Sequence, residues 1–424
     1  MNFQHAEPLE IAFWLSLGMV AYAYVGYAVV VWLASVRRPD PAARSSTVHP
    51  HRTTRDRPKV SLVIAAYKEE AWILKRLQNA IEQDYPRDGL EILVGCDGHE
   101  DLTGDLAEAF HDDRVRVVVF PARRGKASVL NDLVPMATGE VLVFTDANTL
   151  FERSAIKNLA RHFDDATVGG VVGRLVLVDP ESGSNADGMY WKFENFLKGC
   201  EGKLGAVLGA NGGIYAIRRE LFRPIPANTI LDDFLIGMRI HETGRRLLYD
   251  KQALAFEETP TTVGAEFKRR SRIGAGGYQS LGQLSGLLWP PRGWLAFAFW
   301  SHKVLRWACP VALASALVCN ALLVRSSPLY VGMMAAQGGL YLLALATPRF
   351  DRLPGVWKVL RLPEMFVQMN LALAVGFVRF ARGIRGGTWT RTERTDVEGR
   401  DVTKLGNATN GDPDETPLLV ESRS

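Results

Sequence analysis

The sequence predicts an α/β domain built on a Rossmann-like sheet, joined to transmembrane and interfacial helices. Three observations carry this expectation. Between residues 58 and 270, short apolar runs alternate with helix-like stretches, the signature of a sheet covered by helices. Residues 11–36, and two stretches beyond residue 307, are apolar and near the length of about 20 residues that a bilayer-crossing helix needs. Acidic residues stand directly after several apolar runs, at the strand ends where open α/β sheets bind ligands.

Residues 11–36 carry Trp14, Tyr22, Tyr24, Tyr27 and Trp32 among aliphatic side chains. Residues 1–10 hold Glu7 and Glu10 but no Lys or Arg, so the basic start of a cleaved signal peptide is missing and residues 1–36 read as a transmembrane helix. Arg37, Arg38, Arg44, Arg52, Arg55, Arg57 and Lys59 follow. The positive-inside rule therefore expects the next domain in the cytoplasm. Residues 37–57 read as a basic linker lying near anionic headgroups.

Strands are expected at 60–66, 90–96, 115–120 and 141–144, with 168–178 and 212–217 as further candidates. Helices are expected over 69–82, 103–110, 126–136, 186–203 and 233–242. This domain is bounded at 58–270. Trp289-Pro290-Pro291-Arg292-Gly293 then breaks the chain, and residues 271–307 are expected as interfacial helices, with Lys303 and Arg306 snorkelling, although 301–307 could instead hold a lipid or lipid-phosphate acceptor. Residues 308–347 read as a transmembrane hairpin turning at Arg325-Ser326-Ser327-Pro328.

Residues 362–380 are apolar but hold Glu364, Gln368 and Asn370, and a strongly basic run, 379–394, follows. The same charge rule favours an interfacial or re-entrant helix within 348–396, which leaves three spans and a cytoplasmic C-terminus. Residues 397–424 are polar and read as a disordered tail.

Composition narrows the function. Lys+Arg is 50 against 46 Asp+Glu, an excess too small to imply a nucleic-acid partner. Cys96, Cys200, Cys309 and Cys319 have no CxxC spacing and fit a reduced compartment rather than a zinc site or disulfide framework. His162, His241 and His302 share no metal spacing and read as ordinary surface residues.

The acids point to glycosyl transfer from a sugar nucleotide. That reaction must position the nucleotide, neutralise a departing diphosphate and take a proton from an acceptor hydroxyl. Asp97 could accept hydrogen bonds from a base or ribose, although Asp97-Gly98 is also a common turn dipeptide. Lys126 opens a helix behind Arg123-Arg124-Gly125 and suits an anion; a solvated basic turn is the plainer reading. Asp146 with Asn148 could hold Mg²⁺ or Mn²⁺. Asn148 offers only a neutral amide oxygen and could instead cap a helix. Asp232 and Asp233 open another helix, where acids are common, and their proximity could raise one pKa towards that of a base.

In order and spacing these blocks resemble the membrane-bound family 2 inverting glycosyltransferases, whose processive branch includes hyaluronan, chitin, cellulose and poly-N-acetylglucosamine synthases. The resemblance covers about residues 60–394. It rests on Val63-Ile64-Ala65-Ala66-Tyr67-Lys68-Glu69-Glu70, on Gln83-Asp84-Tyr85-Pro86, on Asp97-Gly98-His99-Glu100-Asp101-Leu102-Thr103, and on Gly125-Lys126 followed by Leu130-Asn131. It continues through Thr145-Asp146-Ala147-Asn148, Gly209-Ala210-Asn211-Gly212-Gly213-Ile214-Tyr215, Asp232-Asp233 and Arg269-Arg270-Ser271-Arg272.

The resemblance implies a GT-A type mixed sheet. Ala66, Tyr67, Glu69, Asp97, Lys126, Asp146, Arg269, Arg272 and Trp389 would then surround a UDP-sugar. Asp97 takes the place of the uridine-binding acid, Asp146 and Asn148 that of the Mg²⁺ or Mn²⁺ ligands, and Asp233 that of the catalytic base. Gly212 and Asp232 fall beside the acceptor. Trp389-Thr390-Arg391-Thr392-Glu393-Arg394 resembles the gating loop that covers the nucleotide. The implied protein is a multi-pass enzyme of a bacterial-type inner membrane with a cytoplasmic catalytic domain. It would pass a hexose or N-acetylhexosamine to a glycan or lipid-linked acceptor, with a homo-oligomer or an export partner left open.

Four positions depart from the family pattern. Lys68 stands where Asn is usual, His99 where Ser is usual, Asn148 where a second Asp is usual, and Ile273 where a Trp follows the Arg block. The missing Trp weakens the processive case and leaves single-sugar transfer to a polyprenyl-linked acceptor open. A non-catalytic scaffold of an export complex is the other alternative, and the intact Asp97, Asp146 and Asp233 argue against it.

Overall fold

The computed structural model describes residues 6–45, 57–178, 188–258, 263–290, 293–347 and 361–383. The chain divides into two compact units, one formed by Ala34–Thr262 and the other by Met1–Leu33 with Val263–Ile384.

The first unit is built on one eight-stranded mixed sheet. Its strands are β1 (Val60–Ala66), β2 (Leu90–Asp97), β3 (Val115–Phe120), β4 (Val141–Asp146), β5 (Leu150–Phe151), β6 (Val168–Val178), β7 (Tyr215–Arg218) and β8 (Arg246–Glu258). They lie in the order β3-β2-β1-β4-β7-β6-β8-β5. β3, β2, β1 and β4 are mutually parallel; β7 then runs antiparallel to both β4 and β6. β1 is buried along its whole length, as a strand covered on both faces should be. From β1 the chain builds outward through β2 and β3, then returns to place β4 on the other side of β1. That reversal creates the crevice where open α/β sheets bind ligands.

The expected strands and helices of this domain are present, with shifted ends. The helix expected over 69–82 is shortened to Ile73–Ile81. Lys68 takes a left-handed φ of 56°, which a non-glycine residue adopts at a cost, and the chain turns through Glu69–Trp72 before the helix begins. Two strands were not expected. β5 is two residues long, and β8 carries Arg246, Asp250, Lys251, Gln252, Glu257 and Glu258.

The second unit is helical. Glu7–Ser35, Gly293–Leu323, Pro328–Ala346 and Leu362–Ala381 are each long and apolar enough to cross a membrane. Gly293–Leu323 is a single 31-residue helix, so residues 294–307 are not a separate interfacial helix as expected. Arg306 is buried, at 6% exposure, and lies over Tyr24 rather than snorkelling; His302 is buried, at 2%, and packs against the Tyr27 ring rather than lying on the surface. Leu362–Ala381 meets the same length and composition measure as the other three. Val263–Gln283 is one helix that runs through the boundary expected at 270. The region 397–424 lies outside the described residues.

Candidate active site

Strand register brings the predicted residues together. Ala65 pairs with Asp146 across β1 and β4, and Ala66 pairs with Cys96 across β1 and β2. Tyr67, Asp97 and Asp146 therefore emerge side by side at one edge of the sheet.

Asp97 is buried, at 2% exposure, and both of its oxygens face backbone. Oδ1 accepts the Arg124 N–H at 2.7 Å and Oδ2 accepts the Gly125 N–H at 2.8 Å. Gly125 has φ +91°, a region that a residue with a Cβ avoids. Asp97 thus shapes the turn from which the helix Lys126–Leu133 starts.

That helix delivers Lys126 into a group of acids. Lys126 Nζ lies 2.8 Å from Asp146 Oδ1 and 3.1 Å from Asp232 Oδ2. Burial opposes the ammonium charge, but the carboxylates of Asp146, Asp232 and Asp233 outweigh it and hold the lysine pKa well above its ordinary value. Lys126 is therefore not a solvated turn residue: it pairs with the chain's own acids.

Asp232 and Asp233 form the first turn of the helix Asp232–Glu242. Asp233 Oδ1 accepts the Phe234 N–H at 2.7 Å. Burial first, and then the Asp232 carboxylate, push the Asp233 pKa up to about 6, against the opposing pull of Lys126. A carboxylate tuned in this way is ionised at neutral pH yet basic enough to take a proton.

Gly212 closes the arrangement. A methyl group on its Cα would sit 3.2 Å from Asp146 Oδ2, 3.4 Å from Asp233 Oδ2 and 3.6 Å from Lys126 Nζ. The missing side chain leaves space that borders all three charged groups. Its neighbour Asn211 is held by Lys198, whose Nζ donates to Asn211 Oδ1 at 2.7 Å.

Beside these groups, Tyr67 donates its hydroxyl to Glu100 Oε2 at 2.8 Å, Lys68 Nζ lies 2.9 Å from the same oxygen, and the Arg123 guanidinium lies 4.0 Å over the Tyr67 ring. Ala66 is fully buried, and the Glu69 N–H donates to Thr103 Oγ1 at 2.8 Å.

The remaining predicted residues belong to other elements. Asn148 lines a small cleft with Trp72, Glu257 and Glu258. Arg269 belongs to the helical unit, where it pairs with Glu266 at 2.8 Å, and Arg272 lies on the same helix. Trp389 and the gating-like segment lie outside the described residues. His162 is not a surface residue: it is fully buried, with Nε2 2.7 Å from Asp250 Oδ2. His241 is partly buried and bonds the Val207 carbonyl at 2.9 Å.

Tyr215 was not anticipated. It is buried, stacks on Phe144 with ring centroids 4.9 Å apart, and burial with Asp232, Asp233 and Asp146 nearby pushes its phenol pKa well above the usual value. Its place in the Gly209–Tyr215 block was the only sequence signal.

The residues present fit a hard divalent cation in a limited way. Asp146 is about a third exposed and its Oδ2 borders the Gly212 space. Among the described residues no group of three His, Cys, Asp or Glu side chains forms a cage. A cation here would take most of its ligands from substrate phosphates and water, as Mg²⁺ commonly does.

Comparison with known proteins agrees with this geometry. The profile of Glycosyl transferase family 2 matches residues 61–225. A probable glycosyltransferase, YdaM, of Bacillus subtilis (strain 168) is 27% identical over 239 residues, covering 52% of this chain and 55% of the relative. The poly-beta-1,6-N-acetyl-D-glucosamine synthase of Staphylococcus epidermidis is 24% identical over 231 residues, with the same coverage. The chain thus spans about half the length of the curated relatives it matches. In three dimensions it resembles a mannosyltransferase from Pyrobaculum calidifontis solved with GDP-Man and Mn²⁺. The TM-score is 0.64 at 23% identity, over 87% of this chain and 99% of that one, a likeness of fold.

Proposed function

We propose that the protein moves a hexose or N-acetylhexosamine from a UDP-sugar, with inversion, onto a growing cell-envelope or extracellular polysaccharide, a reading supported by the match of residues 61–225 to the profile of Glycosyl transferase family 2. The observation that carries this reading is Asp233, a half-buried carboxylate with its pKa pushed up to about 6, facing Asp146 and Lys126 across the space beside Gly212.

In this reading the acceptor hydroxyl sits beside Asp233 and gives it a proton. The acceptor oxygen forms a bond to the anomeric carbon from the face opposite the diphosphate, and the bond from that carbon to the diphosphate breaks, with the electron pair leaving on the diphosphate oxygen. Lys126 supplies positive charge where negative charge builds on the leaving group. Asp146, with donor phosphates and water, would hold Mg²⁺ or Mn²⁺, which supplies further neutralisation when bound. Asp97 and Tyr67 would border the nucleotide, Arg269 and Arg272 the diphosphate and acceptor, and Trp389 the cover over them. The apolar helices favour a multi-pass membrane enzyme, and the basic residues that follow the first of them favour a cytoplasmic catalytic unit; a homo-oligomer or an export partner would complete it.

Ile273, where the family's acceptor-stacking Trp is expected, supports a second reading in which one sugar passes to a polyprenyl-linked acceptor. One experiment tests both. The purified full chain is given UDP-glucose, UDP-N-acetylglucosamine, UDP-galactose or UDP-glucuronate with Mg²⁺ or Mn²⁺; UDP release is measured, and the product is sized by mass. Polymer supports the first reading and a single added sugar the second. Failure to release UDP from all four would count against both.

A further inference from the structure

Two asparagines each grip one residue's backbone through both of its hydrogen-bonding groups. Asn131 Nδ2 donates to the Ile225 carbonyl at 2.7 Å, while the Ile225 N–H donates to Asn131 Oδ1 at 3.0 Å. Asn79 Nδ2 donates to the Phe151 carbonyl at 2.8 Å, and the Phe151 N–H donates to Asn79 Oδ1 at 2.8 Å. The contacts bridge 94 and 72 residues. A carboxamide carries one acceptor and one donor group, as a peptide does, so each asparagine stands in for a strand neighbour. β5 is the edge of the sheet, with β8 on one side; Asn79 satisfies Phe151 on the other. Arg76 reinforces that contact: it is fully buried, lies 4.4 Å over the Phe151 ring and donates to Asn79 Oδ1 at 2.5 Å.

What these contacts hold is the acid cluster. Asn131 and Lys126 share the helix Lys126–Leu133. Lys126 holds Asp232 and Asn131 holds Ile225, and between these two points lies a loop with neither helix nor strand. One short helix therefore grips both ends of the loop that delivers Asp233. Phe151, in the same way, fixes the chain soon after it leaves Asp146 at the end of β4.

We propose that Asn131 and Asn79 are positioning residues that fix the two acid-bearing loops relative to Lys126, so that the Asp146–Lys126–Asp233 geometry exists before substrate arrives. The proposal rests on the glycosyl-transfer reading for its kinetic consequence but not for its structural one. Preorganisation matters because a displacement of about 1 Å at a reacting group can cost on the order of a hundredfold in rate.

The test uses Asn131→Asp, which keeps shape and acceptor but replaces the donor with an oxygen facing the Ile225 carbonyl, and Asn131→Ser as the milder change should the first fail to fold. Asn79→Asp tests the second contact. Hydrogen exchange on the full chain should show the Ile225 amide exchanging at least about tenfold faster in the Asn131 variants, with β1 and β4 amides unchanged. UDP release should lose about ten- to a hundredfold in kcat, with the donor KM within about twofold, and its acid limb should move because the loop that carries Asp233 is no longer tied to the Lys126 helix at Ile225. Faster exchange at Ile225 with unchanged kcat and pH profile would overturn the positioning role, and so would unchanged exchange. Should the wild type turn over no sugar nucleotide, the glycosyl-transfer reading fails, while the exchange result still decides whether the asparagines hold the loops.

Discussion

Lys126 Nζ and Asp146 Oδ1 stand 2.8 Å apart, joining the start of a helix to the end of β4. The lysine is also 3.1 Å from Asp232 and under the field of Asp233, so one cation offsets three acids. Removing one side of a half-buried ion pair leaves the other charge poorly compensated. Lys126→Met should therefore lose about 1–3 kcal/mol of stability at neutral pH and most of the proposed transferase activity. Denaturant unfolding at pH 7.5 and pH 5 checks this: protonation of the acids should return part of the loss at the lower pH.

Gly212→Ala should separate folding from function. The added methyl meets Asp146 and Asp233 oxygens at 3.2 and 3.4 Å, close contacts that a small shift relieves. It also fills the space assigned to the reacting groups. The melting temperature should stay within about 3 °C, while kcat/KM for the sugar nucleotide falls by about tenfold or more.

Asp97→Asn should act through the turn rather than through charge alone. The carboxylate accepts two backbone N–H groups at 2.7 and 2.8 Å, and an amide would turn its own NH₂ towards one of them. The cost should be about 1–3 kcal/mol. Because Lys126 follows directly on that turn, the donor KM should rise as well. Thermal melts together with donor titrations test the two effects side by side.

Asp233→Asn should make the fold more stable while disabling it. The Asp233 pKa is raised from 3.8 to about 6 in the fold, so the folded state holds this proton more tightly than the unfolded chain does. The contribution of Asp233 to stability therefore falls as pH rises from about 4 to about 6. It stays at its lowest above that, with a full cost of about 3 kcal/mol. The variant escapes the cost. It should melt above the wild type at pH 8 and together with it near pH 4.

Much of this arrangement was legible in the sequence. β1, β2 and β4 are near-continuous apolar runs that lead into Tyr67 or end in Asp97 and Asp146, and such runs are how strands buried on both faces are written. β8 was not legible, because its polar residues find partners far away: Asp250 is satisfied by Arg161 and His162, each at 2.7 Å. The central place of Lys126 was hidden for the same reason, since its partners lie on β4 and on the helix starting at Asp232. Asn148 shows the opposite limit. Its spacing from Asp146 suggests a shared ligand set; its place in a cleft lined by Trp72 and Glu257 was not legible.

The central claim is that Asp233 takes the acceptor proton during sugar transfer. The most direct measurement is the pH dependence of UDP release by the full chain and by Asp233→Asn, with the sugar nucleotide the wild type prefers. The wild-type rate should climb through an apparent pKa of about 6 and then level, and the variant should lose about a hundredfold or more. A variant that keeps the wild-type rate and pH profile would contradict it.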